Sequence, residues 1–398
     1  MAETRSLEEI QEVLELAKLE LCDVQPMAQC FTFSEDLGND SFKLMELNPD
    51  MLATIKAGDS LVIRGDDSDC AVICTNNKTY ELKEAEISNS LLLIPTVMFP
   101  DQMVNKEETL ENRQVVSIMH DYLELRPCKP RLQKLRQLLE ECPYKGILED
   151  AEGQSGKKFT YSVLQDMVQC SNTELDAALK QLNACKIQEY WRVIDFEYLI
   201  KVLTNITNLC TENDWPIDRI PLQEVSQQLE DDGTFARVVV EHVLTSFGTP
   251  VTSDTDMETD AGPSFYKLDE DKMCRLYADM ILRDTKKFNF QEFMDAWQQC
   301  VPEGMKTDEF QLQGLALIDR DSSPEIITYF PVENLPDEVD ERFTKLFTQK
   351  EKWTKDEITP YINDLATEKI GVGSLLMKYA RGSMQKGVKV FNSRKPLS

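Results

Sequence analysis

Histidine is almost absent from this sequence, and its cysteines are scattered. The 398 residues include two histidines, His120 and His242, and eleven cysteines, no two of which have C-x-x-C spacing. A structural zinc site needs a cluster of Cys and His ligands, so the sequence predicts no zinc site. An odd number of scattered cysteines in a chain of this length is typical of free thiols in a reducing compartment.

Long apolar runs are missing as well. The segment SLLLIP at 90–95 is about the longest, whereas a membrane helix needs roughly 18 apolar residues or more. The N-terminal segment MAETRSLEEIQEVLELAKLEL is acidic and lacks the basic region of a signal peptide. We therefore expect a soluble protein of the cytosol or nucleus, with no membrane partner.

Three short motifs suggest ligand sites and fail on spacing. GQSGKK at 153–158 has two residues between its glycines, not the four of a phosphate loop, and Lys158 stands where Ser or Thr would bind magnesium. The alternating acids of 254–260 lack the central glycine and closing glutamate of a calcium loop. Arg-Gly-Asp at 64–66 is read as a turn. We expect no cofactor, no metal and no catalytic residue.

Positive charge is scarce overall but is concentrated at one end. The chain has 43 basic and 71 acidic residues, a net charge of −28. Residues 341–398 nevertheless carry twelve basic and six acidic side chains, and no acidic residue follows Lys369. Because affinity for phosphates comes mainly from Lys and Arg, the body of the chain is a poor candidate for nucleic-acid binding. The C-terminal end is the better candidate.

The first hundred residues predict a helix followed by a small β-barrel. Residues 7–21 place apolar side chains at helical spacing, and residues 28–95 read as short strands separated by turn residues. Several short strands at this spacing are typical of a barrel or sandwich, and a barrel this small would leave exposed edges that can pair with a second chain. The candidates for packing in the barrel or against a partner barrel are Leu61, Ile63, Val72, Ile73, Leu92 and Ile94.

A helical region follows a polar linker predicted at 101–119. The order helix, turn, second helix and β-hairpin recurs three times, with capping boxes at Ser171-x-x-Glu174 and Thr354-x-x-Glu357. This order is the plan of a winged helix. The predicted fold is therefore α+β: a barrel domain (1–100) followed by three winged helices in series, at 120–205, 206–335 and 336–398. The second is expected to carry an acidic insertion at 249–263.

Only the third predicted winged helix has the charge to contact DNA. In such domains the second helix and the wing are the elements that touch DNA, and in the first two copies these elements carry carboxylates. In the third copy they carry cations, which are our candidate DNA-binding residues: Lys369, Lys378, Arg381, Lys386, Lys389, Arg394 and Lys395.

Several continuous stretches resemble one protein family. They are SLVIRGD (60–66), LNACKIQEYWR (182–192), WQQCVPEGM (297–305), GLALIDR (314–320) and KYARGSMQKGVKVFNSRKP (378–396). These stretches are similar to the Dcc (defective in sister chromatid cohesion) family, and the similarity extends over nearly the whole chain. The acidic segment 251–262 matches nothing in the family pattern.

The resemblance implies a nuclear, non-catalytic subunit of an alternative replication factor C clamp loader. Its barrel is expected to join the loader's large and small chromosome-transmission-fidelity subunits. Its winged helices are expected to contact the catalytic subunit of DNA polymerase epsilon and DNA. The replication factor C small subunits and the sliding clamp would be indirect partners, and the protein would act at replication forks and in sister chromatid cohesion.

Two other hypotheses remain open at this point. The winged helices could serve only as protein interfaces in a scaffold that does not bind DNA. Alternatively, the protein could be a cysteine-dependent enzyme that uses Cys142 or Cys170 with His120, since such partners can be distant in sequence.

Overall fold

The structure is a computed structural model that describes residues 6–20, 27–35, 37, 42–65, 69–99, 109–152, 156–251, 264–366, 370–385 and 387–394. Helices and strands are mixed along the chain, which confirms the α+β class. The chain divides into two compact units: 1–63 with 67–129, and 64–66 with 130–398. Among the described helices, none combines the length and the hydropathy that crossing a bilayer requires.

The N-terminal part of the chain is mainly β-structure. Its elements are α1 (Leu7–Leu16), β1 (Met27–Phe33), α2 (Pro49–Ala57), β2 (Val62–Arg64), β3 (Val72–Cys74), β4 (Thr79–Leu93), β5 (Thr109–Val115) and β6 (Ser117–Pro127). Helix α2 begins where the Asn48 side chain accepts a hydrogen bond from the backbone N–H of Met51, and it ends at Gly58 with a positive φ. Both are common helix-end signals.

The described strands form a four-stranded sheet and a separate pair, and no closed barrel is found among them. Strands β2, β3, β4 and β6 pair in that order, and β1 pairs with β5 in parallel. A closed barrel requires every strand to have two neighbours. Among the described residues, β2 has one paired strand, and the outer edge of β6 is bonded only by a parallel bridge between Leu123 and Met45, so the sheet stays open.

The predicted linker also differs from the structure. The described residues within 101–119 belong to β5 and to the start of β6, and residues 101–108 lie outside the described residues. Strand β6 then pairs with β4 over most of its length. The N-terminal unit therefore extends to residue 129 rather than to residue 100.

The second unit repeats one order of elements four times. The first set contains α3 (Gln133–Glu140), α4 (Ile147–Ala151), α5 (Tyr161–Met167), α6 (Asn172–Gln181), β7 (Cys185–Ile187) and β8 (Tyr190–Arg192). The second contains α7 (Phe196–Glu212), β9 (Ile220–Pro221), α8 (Leu222–Asp231), α9 (Arg237–Phe247), β10 (Gly248–Val251) and β11 (Phe265–Leu268).

The third and fourth sets follow the same order. The third contains α10 (Glu270–Thr285), β12 (Lys287–Asn289), α11 (Phe290–Cys300), a 3-10 helix (Glu309–Leu312), β13 (Ala316–Asp319) and β14 (Ile326–Tyr329). The fourth contains α12 (Val339–Gln349), β15 (Trp353–Thr354), α13 (Lys355–Ile362), α14 (Val372–Tyr379), β16 (Ala380–Gln385) and β17 (Val388–Ser393).

In each set the second strand of the β-hairpin, here called the return strand, also pairs with an earlier segment of the set. In the last three sets this strand lies in the middle of a three-stranded sheet, with orders β10-β11-β9, β12-β14-β13 and β15-β17-β16. In the first set the return strand β8 is bridged to Phe159 through Trp191. The return strand therefore joins the hairpin to the segment that precedes the second or third helix.

The structure thus contains four sets where we expected three. The predicted span 206–335 includes most of the second set and all of the third. The second set escaped prediction because its hairpin has no short turn: β10 and β11 are separated by residues 252–264, and Val251 pairs with Phe265. The predicted acidic insertion at 249–263 therefore overlaps β10, and residues 252–263 lie outside the described residues.

The apolar cores follow the sets. One cluster centres on Leu135, Leu164 and Leu175 in the first set, and a second occupies the fourth set around Trp353. The largest cluster is shared by the second and third sets and also includes Tyr144, Cys185 and Ile187 of the first. In the shared core the fully buried Trp297 donates a hydrogen bond of 2.7 Å from its indole nitrogen to the carbonyl of Cys274.

Replacing Trp297 with alanine should strongly destabilise the second unit. The change empties a fully buried site and removes the indole hydrogen bond to the Cys274 carbonyl, so we expect a loss of about 3–5 kcal/mol in the free energy of unfolding. Urea denaturation followed by circular dichroism measures it. The matched control is Trp215→Ala, at a half-buried tryptophan beside the same core, which should cost much less.

Candidate interaction surfaces

The N-terminal unit has a very small buried core and a large exposed apolar surface. Its core cluster has three buried side chains, Met51, Ile73 and Tyr80. Most of the exposed large apolar side chains among the described residues lie in this unit, although the second unit is the longer one. Monomeric proteins rarely expose extended apolar patches, and such patches commonly mark protein interfaces.

The predicted packing residues divide into buried and exposed groups. Val72 and Ile73 are both buried, and Leu61 packs against the small core. Ile63 is 66% exposed and Leu92 is 49% exposed. Adjacent residues on a strand point to opposite faces, so β3 is covered on both faces while β2 and the far end of β4 present apolar side chains to solvent. Ile94 is intermediate in exposure.

Helix α1 is amphipathic and buries none of its residues. A capping box between Ser6 and Glu9 fixes its first turn. Leu7, Ile10 and Val13 recur every three residues and are all exposed. A short helix gains most of its stability from packing of its apolar face, so α1 has the properties of a helix that needs a partner surface.

The β1–β5 pair is a second incomplete element. Gln29 joins it to the segment before β5: its amide exchanges hydrogen bonds with the backbone of Met98 at 2.7 and 2.9 Å and accepts a third from Arg113. Phe31 and Phe33 remain exposed on β1. Parallel strands are normally buried inside larger sheets, and an isolated two-stranded sheet has only marginal stability in water. Within the described part of the chain, this pair therefore offers open edges and apolar side chains together.

The C-terminal set carries the described part of the predicted basic surface. Lys378 lies in the last turn of α14, Arg381 on β16, Lys389 on β17, and Arg394 directly after β17. All four are exposed. Three other candidates, Lys369, Lys386 and Lys395, lie outside the described residues.

The hairpin distributes its two cations between its faces. The register pairs Arg381 with Asn392 and Met384 with Lys389. Because side chains alternate along each strand, Arg381 and Lys389 lie on opposite faces of the hairpin. The aliphatic part of the Lys389 side chain passes over Gly382: a Cβ added to this glycine would lie 3.2 Å from the Cε of Lys389. The Nζ of Lys389 lies 5.4 Å from the centre of the Phe391 ring. The Arg394 Nε donates to the Ala380 carbonyl at the base of the hairpin.

Acidic side chains around the third set are partly neutralised within the set. The Arg320 guanidinium bonds Glu309 and Glu325, which joins the 3-10 helix to the hairpin. Among the described residues, no group of His, Cys, Asp and Glu side chains could hold a metal ion.

The cysteines proposed for catalysis are buried. Cys142 is 3% exposed and Cys170 is fully buried in the second unit, whereas His120 is an exposed residue of β6 in the first unit. A nucleophilic thiol must be accessible to its substrate and ionised at working pH. Burial also raises the pKa of the Cys185 thiol to about 12 and those of Cys210 and Cys274 to about 11. The geometry gives no support to a thiol enzyme.

Alkylation of the native protein should separate the thiols by burial. We expect Cys30, Cys70 and Cys300, which are exposed, to react with iodoacetamide at pH 8 much faster than Cys142, Cys170 and Cys185. Peptide mass spectrometry after timed quenching measures the rates, with urea-unfolded protein as the reference. Fast labelling of Cys142 or Cys170 would restore the thiol-enzyme hypothesis.

Comparison with known proteins defines the class to which this fold belongs. The family model described as sister chromatid cohesion protein Dcc1 matches residues 42–362. The chain is 44% identical to the sister chromatid cohesion protein DCC1 of Xenopus tropicalis over 397 residues, covering 99% of this chain and 100% of that protein. It is 42% identical to the Mus musculus protein of the same name, covering 100% and 99%.

More distant relatives are similar over most of the chain as well. The Saccharomyces cerevisiae sister chromatid cohesion protein DCC1 is 22% identical over 367 residues, covering 86% of this chain and 93% of that protein. The chain therefore belongs to the family of sister chromatid cohesion protein Dcc1.

Proposed function

We propose that this protein is a nuclear, non-catalytic adaptor subunit of an alternative replication factor C clamp loader that acts in sister chromatid cohesion. Its N-terminal unit joins the large and small chromosome-transmission-fidelity subunits. Its C-terminal unit contacts the DNA polymerase epsilon catalytic subunit and DNA. Family membership supports the role in cohesion, because relatives that match the full chain carry that name.

The observation that carries the adaptor role is the incompleteness of the N-terminal unit. Its buried core is small, its sheet is open, and Ile63, Leu92 and Phe33 present apolar surface to solvent. Burying apolar area contributes roughly 25 cal/mol per Å², so partner strands placed on these edges would supply the packing that the unit lacks. In this proposal the predicted barrel is completed by the partner chains.

The winged-helix interpretation supports the second half of the proposal. In each set of the second unit, helices precede a hairpin whose return strand pairs back to an earlier segment. In the fourth set the hairpin and its flanks carry exposed cations, and no acidic residue follows position 368 in the sequence. Clustered cations of this kind are the electrostatic feature that DNA phosphates require.

Charge placed on the apolar surface of the N-terminal unit should prevent assembly. We expect Ile63→Glu with Leu92→Glu to abolish co-purification with the two chromosome-transmission-fidelity subunits, because a buried unpaired carboxylate is strongly unfavourable. Co-expression followed by affinity capture and size exclusion measures it.

The control for this experiment is Val238→Glu, at an exposed apolar residue of the second unit. It should leave the complex intact. If the double variant still assembled at the wild-type ratio, the adaptor role of this surface would be rejected.

Charge reversal on the hairpin should weaken DNA binding. We expect Arg381→Glu with Lys389→Glu to raise the Kd for DNA at least tenfold at moderate salt, because both cations would neutralise phosphates. The plot of log K against log salt should also become shallower, by about 0.9 for each phosphate that the variant no longer neutralises. Fluorescence anisotropy of the full chain at several salt concentrations measures both quantities.

The matched control reverses two exposed lysines elsewhere in the same set, Lys352→Glu with Lys355→Glu. It changes the net charge equally and should leave the salt slope unchanged. Equal effects of the two double variants would show a response to overall charge alone. Unchanged affinity in the first would favour a scaffold that does not bind DNA.

A further inference from the structure

The hairpin of the fourth set projects beyond its core. Every residue of β16 after Ala380 is exposed, and on β17 Val388 and Lys389 are exposed before the buried pair Val390 and Phe391. Strand β15 pairs with β17 only at Phe391 and Val390. The outer half of the hairpin is therefore a two-stranded ribbon whose two faces both meet solvent.

Each face of the hairpin presents one cation and one apolar side chain, but Arg381 pairs with Asn392 at the base of the hairpin, whereas Lys389 lies on the outer ribbon. Lys389 is paired directly with Met384, so the two share a face. Arg381 and Val388 share the other face, because Val388 is paired with Gln385 and alternate residues of a strand point the same way. Met384 is 68% exposed and Val388 is 52% exposed. Neither Arg381 nor Lys389 forms a salt bridge with a described residue, so both charges are open to a ligand.

Cations on opposite faces cannot meet a single flat row of phosphates. They can meet two rows that border a groove, one on each side of the ribbon. A β-ribbon with side chains on both faces is about 10 Å thick, judged from the spacing of packed sheets. The major groove of B-DNA is about 12 Å wide and the minor groove about 6 Å wide. The thickness of the ribbon therefore favours the major groove.

The preceding helix is less suited to that groove. Helix α14, whose sequence is VGSLLMKY, has one charged side chain, Lys378, in its last turn. The Lys378 Nζ lies 4.9 Å from the centre of the Tyr379 ring. The exposed residues Gly373 and Ser374 earlier in the helix carry no charge. The hairpin, not the helix, has the length and the charge to reach both DNA strands.

We propose that the outer ribbon enters the major groove of duplex DNA, with Lys389 on the ribbon and Arg381 at its base bound to phosphates of opposite strands, and with Met384 and Val388 against the base edges. The proposal rests on the proposed DNA contact and specifies its ligand as duplex. Apolar side chains recognise thymine methyl groups in the major groove, so the preference among sequences is mild and favours A·T pairs. A single strand offers no second row of phosphates.

The test compares ligands on the full chain by fluorescence anisotropy. The probes are a 20-base-pair duplex of mixed sequence and either of its single strands, with methyl green as a major-groove competitor and netropsin as a minor-groove competitor. We expect the duplex to bind more tightly than the single strands, and methyl green rather than netropsin to displace the protein. Equal binding of duplex and single strands, or displacement by netropsin alone, would overturn the groove assignment.

A pair of uncharged variants tests the apolar contacts. Met384→Ser with Val388→Ser should weaken duplex binding roughly fivefold to twentyfold, the cost of leaving two apolar contacts unmade, with no change in salt slope. The control is Met377→Ser, at a methionine of α14 that is equally exposed. Unchanged affinity in the double variant would reject the contact with base edges.

The DNA contact of the hairpin and its assignment to the major groove can be rejected separately. If Arg381→Glu with Lys389→Glu leaves DNA binding intact, the DNA contact itself is absent. If that variant loses binding, the hairpin binds DNA. If, in addition, the serine variant binds normally and netropsin alone displaces the protein, only the groove assignment is rejected.

Discussion

The return strand of each hairpin is the interaction on which the second unit depends. In three of the sets it lies between the outgoing strand and a short strand that precedes a helix, so one strand fixes both the hairpin and the helices. Strand β17 illustrates the limit of this closure. It is bound on both sides only at Val390 and Phe391, and beyond these residues the hairpin is supported by its own ladder alone. The same pairing thus gives the set a buried core and leaves a projecting ribbon.

The two units satisfy their apolar surface in different ways. The second unit encloses large side chains such as Trp297 and Trp353 completely, and it holds the buried Arg342 with Asp364 and the carbonyls of Pro336 and Tyr361. The N-terminal unit instead leaves α1 without a buried residue and exposes apolar side chains of β1, β2 and β4. The chain thus combines a part that encloses its large apolar side chains with a part that leaves many of them exposed among the described residues.

Local signals in the sequence predicted local structure well. The capping boxes at Ser171 and Thr354 both form, with the expected reciprocal bonds to Glu174 and Glu357. Helix α2 was missed although its signals were present: Asn48 before Pro49 at the start, and Gly58 at the end. No closed barrel is found among the described strands, and sequence alone could not settle this, because closure depends on which strands pair and strand alternation carries no information about that pairing.

The sequence also could not show on which face of its strand each candidate residue lies. Val72 and Ile73 are neighbours that are both buried, so a period of two did not apply to β3. Separation of Arg381 from Lys389 onto opposite faces follows from the hairpin register, which a list of basic residues does not contain. Composition located the basic end of the chain. Only the pairing of β16 with β17 showed how its charges are directed.

The long connection between β10 and β11 has a consequence for the evolution and the engineering of this chain. The entropy of closing a loop grows only with the logarithm of its length, so joining Val251 to Phe265 through thirteen residues rather than two costs about 1.6 kcal/mol more. The ladder of four pairs between these strands is bound by β9 at Phe265 and Tyr266, next to this connection, and joins α9 directly at its other end. Residues 252–264 are therefore a position where sequence can be lengthened, shortened or replaced by a fluorescent reporter at little thermodynamic expense.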